Sequence, residues 1–153
     1  MDRHTTRSAG LGFLAGLGLL ISSAAIAQDA AEPAQLRILG QCNGCVVAGL
    51  DLSGRRLTGV DLSESTIRDV DFSDANLNIA VFDDATLENV SFASANLTGA
   101  SFVGALLINV SFENTILKAA VFDAAILEDT DLGRGISCNT QLPDDTTDST
   151  ECN

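Results

Sequence analysis

Residues 95–104 read ANLTGASFVG, in which a small-x-Leu unit (Ala95, Leu97) is followed five residues later by a small-x-Phe unit (Ala100, Phe102). The same spacing runs outward in both directions. Every fifth residue from Leu52 to Leu132 is Leu, Ile or Phe. A second, smaller series lies two residues before each of these and includes Val60, Val70, Ala75, Ala85, Ala95, Ala105 and Ala120. A period of five suits neither standard element. On a helix each step of five advances the direction by about 140°, and on a flat strand the large side chains would alternate between faces. The chain must therefore turn every five residues, keeping both series inward, and repetition at a fixed short period means a solenoid in which each unit buries its apolar face against its neighbours.

The units Ala75-Asn76-Leu77, Ala95-Asn96-Leu97 and Val70-Asp71-Phe72 carry a family resemblance. They resemble pentapeptide-repeat proteins, whose unit is A(D/N)LxX. The resemblance implies an all-β chain forming a right-handed quadrilateral β-helix, with four pentads per coil and about four coils. Phe72, Phe82, Phe92, Phe102, Phe112 and Phe122 recur every tenth residue. In a four-sided coil that spacing places Phe on two opposite faces and Leu or Ile on the other two. These rings are expected as core, with Phe72, Phe92 and Phe112 in one column and Phe82, Phe102 and Phe122 in the facing one. Arg55 and Ser65 fall on the small inward site, and Leu50 overfills it, so the first coil is expected to depart from the ideal pattern.

Four segments are expected. Residues 1–27 read as a secretory signal: Arg3, His4 and Arg7, an apolar run from Leu11 to Ile21, then Ala25-Ile26-Ala27 as a cleavage pattern. Residues 28–41 read as linker and N-terminal cap, residues 42–134 as the pentapeptide-repeat β-helix, and residues 135–153 as a disulfide-closed C-terminal segment.

Cys42 and Cys45 precede the repeats, and Cys138 and Cys152 follow them. An even count in an exported chain implies disulfides. In the rod that the resemblance implies, bridges between its ends exceed the Cα separation a disulfide tolerates, which pairs Cys42 with Cys45 and Cys138 with Cys152. The ends QCNGC (41–45) and SCNTQLPDDTTDSTECN (137–153) also resemble the cysteine-containing ends of secreted pentapeptide-repeat proteins. A redox-active Cys-x-x-Cys would need a βαβ context that the sequence lacks, and the intervening rod forbids a four-cysteine zinc site. Free core thiols remain an alternative to structural disulfides.

The chain has 21 acidic and 8 basic residues and a formal charge of −13. Removal of residues 1–27 takes Asp2, Arg3 and Arg7, leaving 20 acidic and 6 basic residues, or −14. Such a surface is unsuited to nucleic acid, which needs clustered Lys and Arg, and it leaves no membrane association expected after cleavage. The only histidine is His4 and the only lysine Lys118, and there is no Tyr or Trp. Histidine triads and His-containing metal sites are therefore excluded from the mature chain, and no catalytic residue, metal ligand or cofactor is assigned. Asp83-Asp84, Asp69 with Asp71, and Glu128-Asp129 read as solvated outward acids, since a thin filled rod offers no cleft for paired-carboxylate catalysis. The sequons at Asn89, Asn96 and Asn109 read as by-products of the repeat.

Val103, Leu106, Ile108, Ile116, Val121 and Ile126 are outward apolar positions in the later coils. They are expected either to form an interface with a protein partner, including a second copy of the chain, or to be covered by the C-terminal segment. The resulting expectation is an exported, non-enzymatic structural or interaction module in the periplasm or outside the cell. The alternative implied by the family is an acidic rod that mimics DNA and binds a DNA-processing enzyme such as gyrase.

Overall fold

The computed structural model describes residues Cys42 to Cys152. The expected signal at 1–27 and linker at 28–41 lie outside the described residues. Five short strands, β1 (Val46–Ala48), β2 (Thr66–Arg68), β3 (Thr86–Glu88), β4 (Leu106–Ile108) and β5 (Ile126–Glu128), form one parallel sheet in sequence order. Each pairs with the next at an offset of twenty residues, as in Val47 with Ile67 and Leu107 with Leu127. Single parallel bridges at the same offset build three further columns: Asp51, Asp71 and Ser91; Arg56, Asn76 and Asn96; Asp61, Val81 and Ser101. The molecule is thus a four-sided β-solenoid with four twenty-residue steps between the five strands of its first face. We number the faces in chain order, by inward residues Val47, Leu52, Leu57 and Leu62 of the first coil.

Each coil turns because every fifth residue from Gly44 to Asp129 has a positive φ, between 47° and 72°. Left-handed backbone is cheap for Gly and tolerable for Asn and Asp, whose short side chains hydrogen-bond locally. The corners are accordingly rich in these three. At most of them the amide of the next small residue donates back to the preceding large one, for example from Ala95 N to the Phe92 carbonyl at 2.9 Å. Ile79 is the exception in chemistry: a β-branched residue held at φ 52° between the corner glycines Gly59 and Gly99.

The core is the two inward series. All six repeat phenylalanines are buried. Phe72 and Phe92 stack with centroids 5.3 Å apart, and Phe82 and Phe102 at 4.8 Å, while rings of facing columns meet edge to face at 76–86°. Stacked and T-shaped pairs at these separations are the favoured aromatic arrangements. The expected two opposite Phe columns are present.

The small inward site follows a rule not visible in the periodicity. Where it holds a hydroxyl instead of Ala or Val, that hydroxyl donates to the carbonyl of the large residue one coil below. Ser65 Oγ donates to Cys42 O at 2.8 Å, Thr115 Oγ1 to Phe92 O at 2.7 Å, and Thr140 Oγ1 to Leu117 O at 2.7 Å. A buried hydroxyl is tolerated because it is satisfied. Arg55 does not enter the site expected for it and is exposed.

Parallel pairing continues past residue 134, through Ile116 with Ile136 and Val121 with Gln141. A 3-10 turn at Leu132–Arg134, capped by Asp131, interrupts the second face. The chain then reverses, and β6 (Thr140–Gln141) pairs antiparallel with β7 (Thr147–Asp148).

Candidate functional site: faces and ends of the rod

Both expected disulfides are formed, Cys42 with Cys45 and Cys138 with Cys152, and no cysteine of the described residues is free. Cys42 occupies a large inward position and Cys45 the next small one, so the first bridge clamps the same β-turn that recurs along the rod, with Cys45 N donating to Cys42 O at 3.3 Å. The second ties the end of the terminal hairpin to the third face, where Glu151 N also donates to Ser137 O at 2.9 Å.

The six outward apolar residues do not make one patch. Leu106 and Ile126 are directly paired on the first face, with Ile108 beside them. Val103 and Val121 lie on the fourth face, next to the first. Gly104 and Ala124 occupy the corner between these faces, where the Asp84 carboxylate of the coil below lies against Gly104 and Asp123 separates Val121 from Ala124. Ile116 stands on the third face, opposite, paired with Asn96 below and Ile136 above. The C-terminal segment does not bury the first-face pair: Ile126 is 58% exposed and Leu106 half-buried.

The faces differ in charge. Across β2 to β5 the third face carries no carboxylate on its outward positions, which are Asn76, Asn78, Asn96, Thr98, Ile116, Lys118 and Ile136. Asn96 Oδ1 accepts from Thr98 N at 3.1 Å and Thr98 Oγ1 at 2.7 Å, whereas Asn78 Oδ1 is buried without a partner among the described residues. The acids concentrate on the second and fourth faces and at corners. Asp51 and Asp61 are held below the ordinary carboxylate range first by the hydroxyls of Ser53 and Ser63 and then by the amides of the same residues. In the terminal hairpin Asp144 is lowered by the Thr146 hydroxyl, and Asp148 by the Thr150 amide. Charge-accepting hydrogen bonds favour the ionised form. Asn89 and Asn109, both in sequons, form a corner ladder with Asp69: Asn89 Nδ2 donates to Asp69 Oδ1 at 3.1 Å, and Asn109 Nδ2 to Asn89 Oδ1 at 2.8 Å.

Among the described residues no group of Cys, Asp or Glu is arranged to hold a metal ion, and no helix is long and apolar enough to cross a membrane. Among the described residues a concavity of about 420 Å³ opens at the C-terminal end. Its floor includes Leu127, Leu132, Ser137 and Leu142, the inward residues of the last coil, and Asp131, Asp144 and Asp148 stand around it. Sequence reasoning passed over this cavity because Ser137 and Thr140 end the apolar pattern while the coil continues.

A four-sided parallel β-solenoid built of five-residue units, with small and large inward residues alternating around each coil, defines a class of repeat protein. The family model for pentapeptide repeats matches the chain in eight copies over residues 41–78, 75–114 and 95–134, and the chain belongs to the pentapeptide-repeat family. No curated protein matches it. Among solved structures, HetL from the cyanobacterium Nostoc sp. strain PCC 7120, a pentapeptide repeat protein involved in heterocyst differentiation regulation, is 26% identical with a TM-score of 0.67. The match covers 71% of this chain and 51% of HetL. A pentapeptide repeat protein from the thylakoid lumen of Arabidopsis thaliana is 28% identical with a TM-score of 0.52, covering 65% of this chain and 66% of that one. The chain thus spans about half the length of the first and under two thirds of the second.

Proposed function

We propose that this is an exported, non-enzymatic interaction module of the periplasm or the extracellular space, which binds a protein partner through the corner between its fourth and first faces. The observation that carries the reading is the Leu106–Ile126 pair on the first face, in which Ile126 is 58% exposed and Leu106 half-buried, with Ile108 beside them and Val103 across the Gly104 corner. An apolar column on a chain otherwise dominated by acids is favoured as an interface over solvent exposure. A second copy of the chain is the simplest partner, since an isologous dimer needs only one self-complementary patch. Export is supported by the signal pattern of residues 1–27 and by disulfides at both ends, which persist in oxidising compartments. The absence of His, Tyr and Trp from residues 28–153 supports a role without catalysis or cofactor.

Sedimentation of the mature protein tests the interface. The unmodified chain is expected to self-associate and the double variant Leu106→Asp, Ile126→Asp to be monomeric with an unchanged unfolding transition. A monomeric unmodified protein contradicts the dimer, and a self-associating double variant moves it elsewhere. Acidic mimicry of DNA has charge alone in its favour. In a gyrase supercoiling assay the mature protein is expected to have no effect.

A further inference from the structure

The two ends of the first-face sheet are strand edges, and the C-terminal one is incompletely built. Along this face each strand takes two kinds of bond from the coil above. The carbonyls of Cys45, Ser65, Ala85 and Ala105 accept from the amides of Thr66, Thr86, Leu106 and Ile126, at 2.8–2.9 Å. The amides of Gly49, Asp69, Asn89 and Asn109 donate to the carbonyls of Arg68, Glu88, Ile108 and Glu128, at 2.9–3.0 Å. Above β5 this stops. β5 pairs with β4 alone, because the chain leaves the solenoid path after Gln141 to form the β6–β7 hairpin. Among the described residues the carbonyl of Ala125 and the amide of Asp129 have no strand partner. Directly inside this edge lies the cavity floored by Leu127, Leu132 and Leu142.

We propose that the C-terminal end of the rod takes an extended peptide segment of a partner protein as a sixth parallel strand on β5, with the side-chain order apolar, apolar, basic. The backbone demand follows from the unfilled ladder, since an extended chain is what supplies a donor to Ala125 and an acceptor to Asp129 in the spacing of the coils below. The side-chain order follows from the columns it would continue. The first residue falls over Ile126. The second points inward over Leu127 into the cavity. The third falls over Glu128, beside Asp129. The molecule contains its own precedent: Arg68, third residue of β2, meets Glu88 of the neighbouring strand with Nε–Oε2 at 3.1 Å. The proposal extends the interaction-module reading and shares only Ile126 with the Leu106–Ile126 corner, its contacts otherwise being the open edge of β5 and the terminal concavity.

The probe is a dye-labelled peptide, acetyl-Ser-Ile-Leu-Arg-Gly-Val-amide, titrated with the oxidised mature chain and followed by anisotropy. Saturable binding is expected. Methylating the isoleucine nitrogen removes the donor to Ala125 and is expected to weaken binding by about tenfold or more. Glu128→Arg is expected to reverse the preference between this peptide and its Arg-to-Glu counterpart. The single variant Leu106→Asp, which leaves Ile126 of β5 in place, is expected to lose self-association but bind the peptide unchanged, so failure of the corner interface and failure of this edge give different results. No saturable binding overturns the proposal. Equal binding of the N-methylated peptide overturns it by reducing the effect to attraction between opposite charges. Chain growth of the protein end to end, with the peptide unable to compete, overturns it in favour of a second copy.

Discussion

The middle coils and the two ends of this rod solve one packing problem with different chemistry. From Phe72 to Phe122 every ring stacks on another in its column, Phe92 and Phe102 on both sides, and meets the facing column edge-on, and no covalent link is present. At the ends a coil has a neighbour on one side only. There the large inward positions hold Cys42 and Ser137, the small ones hold Cys45 and Thr140, and a disulfide secures each terminus. Repeat stability is a sum over neighbouring interfaces, so a unit with half the interfaces needs a constraint that does not depend on stacking. The comparison teaches that the repeat is locally self-sufficient in its interior and externally clamped where it stops.

The largest break in that comparison is Phe92→Ala, which removes a ring packed on Phe72, Phe82, Phe102 and Phe112. It is expected to cost about 3–5 kcal/mol in denaturant unfolding. A loss below about 1 kcal/mol would show the column to be replaceable. At the ends, replacing Cys138 and Cys152 by Ser opens a loop with a sequence separation of 14 and is expected to cost about 3 kcal/mol on the chain-entropy account. The same change at Cys42 and Cys45, separated by 3, is expected to cost about 2 kcal/mol. Reversal of that order would mean that the ends are held by packing and not by loop closure.

Smaller in size, and opposite in sign, is Ile79→Gly. Ile79 is 60% exposed in a left-handed corner, and relief of about 1–2 kcal/mol of backbone strain outweighs the extra chain entropy of Gly. The expected gain is up to about 1 kcal/mol, read as a higher unfolding midpoint. The smallest effect is the pH response of the turns. Asp51, Asp61, Asp144 and Asp148 have lowered pKa values in the folded chain. Their caps are therefore complete above the unfolded carboxylate value of about 3.9 and are lost as the pH falls through the lower folded values. In an NMR titration the amides of Ser53, Ser63, Thr146 and Thr150 are expected to shift with midpoints below that value. Midpoints at or above it would remove these caps from the account.

The periodicity made the solenoid legible, because period five excludes every simple element, and the resemblance to pentapeptide-repeat proteins then implied its four faces and the Phe columns. It was less informative where the pattern is polar. Ser137 and Thr140 hide the continuation of pairing to Gln141, since a hydroxyl that satisfies a carbonyl one coil below looks like the end of an apolar repeat. The six outward apolar residues were legible as apolar but not as a group. The ten-residue offset that sets Phe72 and Phe82 on opposite faces also sets Leu106 and Ile116 apart, and only the twenty-residue offset from Leu106 to Ile126 brings side chains together. The terminal cavity had no sequence signal, because it arises from where the hairpin leaves the coil.

The account centres on an exported rod clamped at both ends, and the intact mass of the protein recovered from the extracytoplasmic fraction, with and without reduction and alkylation, tests it most directly. The prediction is a chain beginning at Gln28 and lighter by four hydrogens than its reduced form, one pair for each of the two disulfides. A full-length chain in the cytoplasmic fraction, with the thiols of Cys42, Cys45, Cys138 and Cys152 all alkylated before reduction, would contradict it.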